Sequence, residues 1–243
     1  MGKVMVGISM SLDGFIAGPN DGPANPLGDG GEGLFQWYSS GDTAFTWPSG
    51  TMTSNISALS AAHLREFTPT IGALVTGRRT FDITDGWDGR HPLDVPVVVL
   101  THSIPQAWAA KHPNFTFVTD GIQSAVARAR QIAGDKHVAV GAASVTQQCL
   151  GAGLLDEIHI DLAPILLGAG VRLFDGPAAR PVSLECTQVI QTPDVTHLTY
   201  RVLKLRPSGG QYDRTEVSLV SLPRGGPGRV LRSLCPCAKR TAS

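Results

Sequence analysis

Residues 71–80 read Ile71-Gly72-Ala73-Leu74-Val75-Thr76-Gly77-Arg78-Arg79-Thr80, and this stretch decides the fold. The apolar run through Val75 predicts a strand ending at Thr76. Gly77 breaks it, and Thr80 lies in the first turn of a short helix. A strand that feeds directly into a helix is half of a parallel crossover unit, and the same pattern recurs on either side. Downstream, Val95-Pro96-Val97-Val98-Val99-Leu100 is a near-continuous β-branched run, as expected of a parallel strand covered on both faces, with Pro96 at its very start. A brief strand over Phe115–Val118 precedes an amphipathic helix over Ile122–Ala133, with Ala125, Ala129 and Ile132 on one side. His137–Val140 is a further buried strand, running through Gly141-Ala142-Ala143-Ser144 into a helix that reaches Leu150. Upstream, residues 3–9 (KVMVGIS) make another strand.

The remaining segments complete the expectation. Asn20–Gly31 (NDGPANPLGDGG) is so dense in turn formers that it reads as a long surface loop, and long loops in compact domains are usually functional. Short helical segments follow near Glu32–Ser40 and Ser57–Phe67; His63 on the second reads as a packed or surface residue rather than a ligand. At the far end, Glu157–Pro164, Val182–Ile190 and Val195–Leu203 are strands with little helix between them, so the sheet turns antiparallel there, with Pro193-Asp194 as the last hairpin turn. The expected fold class is α/β: one mixed, mostly parallel sheet of about eight strands with helices on both faces. Residues 1–204 form the domain, and residues 205–243, rich in Gly, Pro and Arg, read as a basic disordered tail.

Composition narrows the function. A 42% hydrophobic content supports an ordinary globular core. No run of about 18 apolar residues offers a membrane span, and the N-terminus shows no cleavage pattern, so a cytoplasmic protein is expected. Residues 1–204 carry 13 Lys and Arg against 18 Asp and Glu, whereas residues 205–243 carry 7 against 2. The domain therefore repels nucleic acid and only the tail attracts it; no nucleic-acid partner is expected. The spacing of Cys149, Cys186, Cys235 and Cys237 fits neither a disulfide framework nor a zinc site. Cys149 and Cys186 read as buried fillers, and no metal is expected.

Three strand ends carry the chemistry. At Gly77-Arg78-Arg79-Thr80, two guanidinium groups and a hydroxyl stand beside backbone NH donors, a set that suits a phosphate. At Gly141-Ala142-Ala143-Ser144, small residues let backbone NH groups approach a second anion. Thr101-His102-Ser103 ends the strand before it with three hydrogen-bonding side chains. Taken singly, each is equally an ordinary tight turn. Ligands of open parallel sheets collect at the carboxyl ends of strands, and the coincidence of all three there points to one shared nucleotide site. Gly28-Asp29-Gly30-Gly31-Glu32-Gly33 satisfies the letters of the dinucleotide fingerprint, but the residues before it form a loop and not the strand that the fingerprint requires. Ser144 lacks the Gly-x-Ser-x-Gly surroundings of a hydrolase nucleophile.

Ser11-Leu12-Asp13-Gly14-Phe15-Ile16-Ala17 after the first strand, Gly77-Arg78-Arg79-Thr80-Phe81, and Gly153-Leu154-Leu155-Asp156-Glu157 leading to Ala163-Pro164-Ile165-Leu166-Leu167-Gly168 and Leu173-Phe174 form a further pattern. In this order they resemble the dihydrofolate-reductase-like superfamily, and more closely the reductase half of the bifunctional riboflavin-biosynthesis deaminase-reductase and its stand-alone relatives. The resemblance covers about residues 3–204. It implies an NADPH-dependent reductase of a pterin-like or ribosylaminopyrimidine-like substrate, with a homodimer as the assembly. It places the nicotinamide near Ile16 and Ala17. Arg78, Arg79 and Thr80 would hold the 2′-phosphate and pyrophosphate together with Thr101, His102 and Ser103, and Gly141, Ala142, Ala143, Ser144 and Val145 would cradle the pyrophosphate. Ala142 departs from the family, which usually has a second glycine there. In dihydrofolate reductases the acid follows a tryptophan by five positions, which nominates Asp42 after Trp37, with Asp13 as the alternative acid. The competing reading is a nucleotide-binding protein without turnover, whose long loop recognises a partner.

Overall fold

A computed structural model describes residues 2–175 and 181–204 of the chain. The expected tail, including Cys235 and Cys237, lies outside the described residues. The first strand, β1 (Val4–Ser11), alternates sides and leads through a turn at Asp13-Gly14 to the short β2 (Phe15–Ala17). The long loop and a 3-10 helix over Gly31–Ser39 follow. A hairpin of β3 (Thr43–Thr46) and β4 (Thr53–Ile56) then precedes α1 (Ala58–Phe67), whose first turn is capped by Ser57 accepting from the Ser60 amide. The crossover units run β5 (Ile71–Gly77) to α2 (Arg78–Ile83), β6 (Val97–Leu100) to α3 (Gln106–Ala109), β7 (Phe115–Val118) to α4 (Ile122–Ala133), and β8 (His137–Gly141) to α5 (Ala143–Gly151). The chain ends in β9 (Glu157–Ala163), β10 (Val171–Arg172), β11 (Leu184–Gln191) and β12 (Thr196–Val202).

Eight strands form one sheet in the order β11-β12-β9-β1-β8-β5-β6-β7. Every pairing from β9 to β7 is parallel, and β12 pairs antiparallel with both β9 and β11. Val4, Val6, Val75, Val98, Val138 and Val140 face α4 and α5 on one side of the sheet. Leu74, Val97, Val99 and Ala139 face Phe81 and Phe115 on the other, with Trp87 and Trp108 packed against them. A third cluster of Trp37, Phe45, Ile56, Ala61 and Leu64 fills the space under the hairpin and α1. No helix among the described residues is long and apolar enough to cross a membrane.

Three features differ from the sequence expectation. The β3–β4 hairpin and the β2–β10 pair were not foreseen, because their strands of two to four residues are too short to show a period. Cys186 is exposed rather than buried: β11 is the edge of the sheet, and most of its residues face solvent. Cys149 is buried as expected.

Candidate functional site

The carboxyl ends of β1, β8, β5 and β6 are neighbours in the sheet, so the turns that follow them lie side by side although β1 ends at Ser11 and its neighbour β8 only at Gly141. At these ends lies a cleft of about 960 Å³, within the range of sites that bury a small molecule. Its walls include Ile16 and Ala17 after β1, Ala142 through Val145 after β8, Gly77 through Thr80 after β5, and Thr101 and His102 after β6. Of the residues nominated for the cofactor, only Ser103 and Gly141 are not part of the wall, and each supports a neighbour that is. The Ser103 carbonyl accepts from Arg78 Nη1 at 3.0 Å; Gly141 closes β8 and joins Ala142 through a cis peptide.

The order of strands sets the chemistry along the cleft. Ile8 and Ile16 line it at β1 and β2, with Arg172 of β10 beside β2, small residues line it at β8, Arg78 and Arg79 stand after β5, and Thr101 and His102 after β6. With strands about 4.8 Å apart, β1 and β6 are separated by about 14 Å. Arg78 is fixed at three points: Nε donates to Asp82 at 2.8 Å, and Nη1 donates to the Ser103 carbonyl and, at 3.5 Å, to Thr101 Oγ1. Thr101 Oγ1 itself donates to the Ser103 carbonyl at 2.9 Å, which folds this turn back on itself. Arg79 Nη2 donates to Asp21 of the long loop. The Ala142 carbonyl accepts from both the amide and the hydroxyl of Thr146, so the turn after β8 is locked onto α5.

Sequence reasoning missed Asp21, Gln147 and Arg172 in this wall. Arg172 lies on the two-residue β10, with its guanidinium 4.3 Å from the Phe15 ring centroid and Nη1 donating to the Asp13 carbonyl at 2.9 Å. Gln147 Nε2 donates to the Leu173 carbonyl at 3.0 Å, tying α5 to the same segment. Nothing local in the sequence marks Arg172, because long-range pairing of β10 with β2 brings it in.

The two nominated acids lie elsewhere. Asp42 is exposed at the entry to β3, where it accepts from Thr43 Oγ1 at 3.2 Å and is not in the cleft wall. The reason is local: the 3-10 helix carrying Trp37 ends at Ser39, so five further residues lead out of the helix rather than around it. Trp37 is buried and donates to Ser9 Oγ at 3.1 Å. Asp13 also lies outside the wall and serves as a clamp. Its oxygens accept from Ser11 Oγ at 2.6 Å and from the amides of Leu167 and Gly168 at 3.1 and 2.7 Å. The Ser11 bond, followed by those amides, holds its carboxyl down at about 2.

The glycine run 28–33 also stays out of the wall, although Pro26 and Leu27 just before it take part. A Cβ built on Gly28 would overlap the Gly18 carbonyl, one on Gly31 would crowd Leu27, and one on Gly33 would crowd Ile165. These glycines serve close packing of the loop on its own chain, and only turns precede them. Ser144 Oγ accepts from Gln148 Nε2 at 3.2 Å. A Ser–His–Asp array does occur, as Ser60, His197 and Asp161, but Ser60 is 1% exposed and beyond the reach of a substrate. Among the described residues no group of three or more His, Cys, Asp or Glu side chains could hold a metal ion.

Known proteins are similar to this chain in sequence and fold. The model of the RibD C-terminal domain matches residues 2–198. The uncharacterised protein YwjB of Bacillus subtilis is 24% identical over 172 residues, which span 71% of this chain and 82% of that one. A putative riboflavin biosynthesis protein from Shewanella sp. PV-4 shares the fold with a TM-score of 0.58 at 24% identity, over 84% of this chain and 100% of that one. One form of Acinetobacter baumannii RibD does so with a TM-score of 0.52 at 15% identity, over 84% of this chain and 59% of that one. With its mixed eight-stranded sheet and a family match over most of its length, the chain belongs to the RibD C-terminal domain family.

Proposed function

We propose that this protein is an NADPH-dependent reductase of a small pterin-like or ribosylaminopyrimidine-like heterocycle. One observation carries the reading: three turns from distant parts of the chain line a single cleft, with Ile8 and Ile16 at one end and Arg78, Arg79, Thr101 and His102 after β5 and β6. The donor set fits a phosphorylated dinucleotide. Arg78, Arg79 and Thr80 supply charge-assisted donors for the 2′-phosphate, with Thr101 and His102 beside them. The turn Ala142 through Val145 at the start of α5 would hold the pyrophosphate, and Ile16 and Ala17 would bound the nicotinamide end. When bound, NADPH supplies the hydride that reduces a C=N or C=O bond. The chain holds the reactants together and limits water around them. Asp42 and Asp13 both lie outside the wall, so neither meets the reacting atoms; the carboxylates that line it are Asp21 and Asp175. Membership in the RibD C-terminal domain family, and the name of the Shewanella protein, favour a substrate of riboflavin biosynthesis.

The test is NADPH consumption, followed by nicotinamide absorbance, with a panel of pteridines and ribosylated aminopyrimidines. Turnover with one of these and loss of turnover in Arg78→Ala would support the reading. NADPH binding without turnover on any of them would favour the second reading, a nucleotide-binding protein, to which the absence of the two acids from the wall gives some weight. The homodimer is likewise a proposal; β11 offers an unpaired sheet edge with exposed Leu184 and Val189 for it.

A further inference from the structure

The loop between Gly18 and Gly31 is tied to itself. Gly22 and Asn25 exchange backbone bonds of 3.0 and 2.9 Å, and the Asp29 carboxylate accepts from Asn20 Nδ2 and Asn25 Nδ2 at 2.6 and 2.9 Å. The Asp29 amide donates to the Pro19 carbonyl and the Gly18 amide to the Leu27 carbonyl. The loop is therefore a preformed unit, and Asp21 is the point at which it grips α2. Arg79 Nη2 donates to both the carbonyl and the carboxylate of Asp21, at 2.9 and 2.7 Å, across 58 residues of sequence. Both residues line the cleft. The Asp21 side chain is 14% exposed and that of Arg79 67%, so the carboxylate is turned inward while the guanidinium faces solvent.

Two oxygens on one guanidinium nitrogen, one of them charged, are what an incoming phosphate would offer Arg79. We infer that Asp21 is an internal competitor for the phosphate site and sets how strongly the protein selects a phosphorylated over an unphosphorylated dinucleotide. This inference rests on the NADPH reading above. A 2′-phosphate that engages Arg79 must displace Asp21 and then leaves that carboxylate unpaired close to a second anion. A dinucleotide without the 2′-phosphate leaves the pair intact. Asp21 thus weakens NADPH binding and leaves NADH binding alone, which lowers the selectivity that Arg78 and Arg79 would otherwise give.

The experiment is calorimetric titration of NADPH and NADH into the wild-type chain, Asp21→Asn, Arg79→Gln and the double variant, with thermal unfolding confirming that each is folded. Asn has the shape of Asp without its charge. Coulomb attraction and repulsion at this range, screened by salt, predict that Asp21→Asn binds NADPH roughly three- to tenfold more tightly. NADH affinity stays unchanged, the gain shrinks as salt is raised, and it is smaller in the Arg79→Gln background, where only the repulsion between Asp21 and the phosphate is left to relieve. An unchanged or weakened NADPH affinity in Asp21→Asn overturns the inference while leaving the cofactor reading intact. So does a gain undiminished by the loss of Arg79. If neither the wild type nor Asp21→Asn binds NADPH, the cofactor reading itself fails, and the inference with it.

Discussion

Replacing His197 by alanine should cost the domain a large share of its stability and leave the cleft untouched. His197 is 2% exposed on β12. Its Nδ1 lies 2.6 Å from Asp161 Oδ1 on β9, its Nε2 lies 2.8 Å from Ser60 Oγ on α1, and Trp37 meets it edge-on with ring centroids 5.3 Å apart. Ser57 Oγ donates to Ser60 Oγ at 2.9 Å. With Asp161 ionised, the hydrogen-bond network assigns a consistent direction: Ser57 donates to Ser60, Ser60 to Nε2, and Nδ1–H to Asp161. Alanine strands the Ser60 hydroxyl, at about 1–3 kcal/mol for a buried polar group left unpaired. It also opens a void of ring size, at about 2–5 kcal/mol for a large-to-small change. These overlap, and about 3–5 kcal/mol is the expected sum. The assay is urea unfolding, with a fall in melting temperature of about 10 °C as the companion observation. His197→Asn keeps a donor for Asp161 and should cost about 2 kcal/mol less, because one hydrogen bond to a charged group survives. NADPH affinity should be unaffected in both variants. A loss below about 1 kcal/mol in His197→Ala, or equal losses in the two variants, would refute the reasoning.

Acid stability should follow two depressed carboxyls. Asp13 is held at about 2 by Ser11 and the Gly168 and Leu167 amides, and Glu157 at about 2 by His159 and Lys3. Their stabilisation is complete above the ordinary carboxylate range and is lost as the pH falls toward about 2. In circular-dichroism melts across pH, Asp13→Asn should therefore melt below the wild type at neutral pH, with the gap closing in acid; a gap constant with pH would contradict the clamp. Thiol reactivity should divide equally sharply. Burial pushes the Cys149 thiol up to about 12, and Cys186 is exposed. A thiol-reactive probe at neutral pH should label Cys186 quickly and Cys149 only on unfolding, as mapped by peptide mass. Equal rates would contradict the burial.

The parallel half of the sheet was legible because its strands are buried on both faces. Runs such as Val97-Val98-Val99 leave no competing period, and glycine or hydroxyl residues mark where each strand stops. That the turns after β5, β6 and β8 gather at one cleft was legible for the same reason, since the rule that ligands gather at strand ends needs only the strand boundaries. The His197 network was not. On β12 the histidine takes an inward position among Thr196, Leu198 and Thr199, where alternation alone gives a half-buried strand. Its partners come from β9 and α1, 36 and 137 residues away. Ser60 reads locally as a first-turn helix serine, and only the packing of α1 on the sheet makes it a buried donor. Asp21 was hidden in a loop whose composition predicts turns and nothing about where they point. The five-residue spacing from Trp37 does not bring Asp42 to the cleft wall, because the 3-10 helix ends at Ser39 and the chain then leads out to the entry of β3.

Hydrogen–deuterium exchange with and without NADPH tests the central claim most directly, because it reports on every turn at once. Peptides covering residues 77–80, 101–103 and 141–145 should slow together as NADPH saturates, while those from β11 and from the β3–β4 hairpin should not change. Protection at only one of the three turns, or at none of them, would contradict a single dinucleotide site.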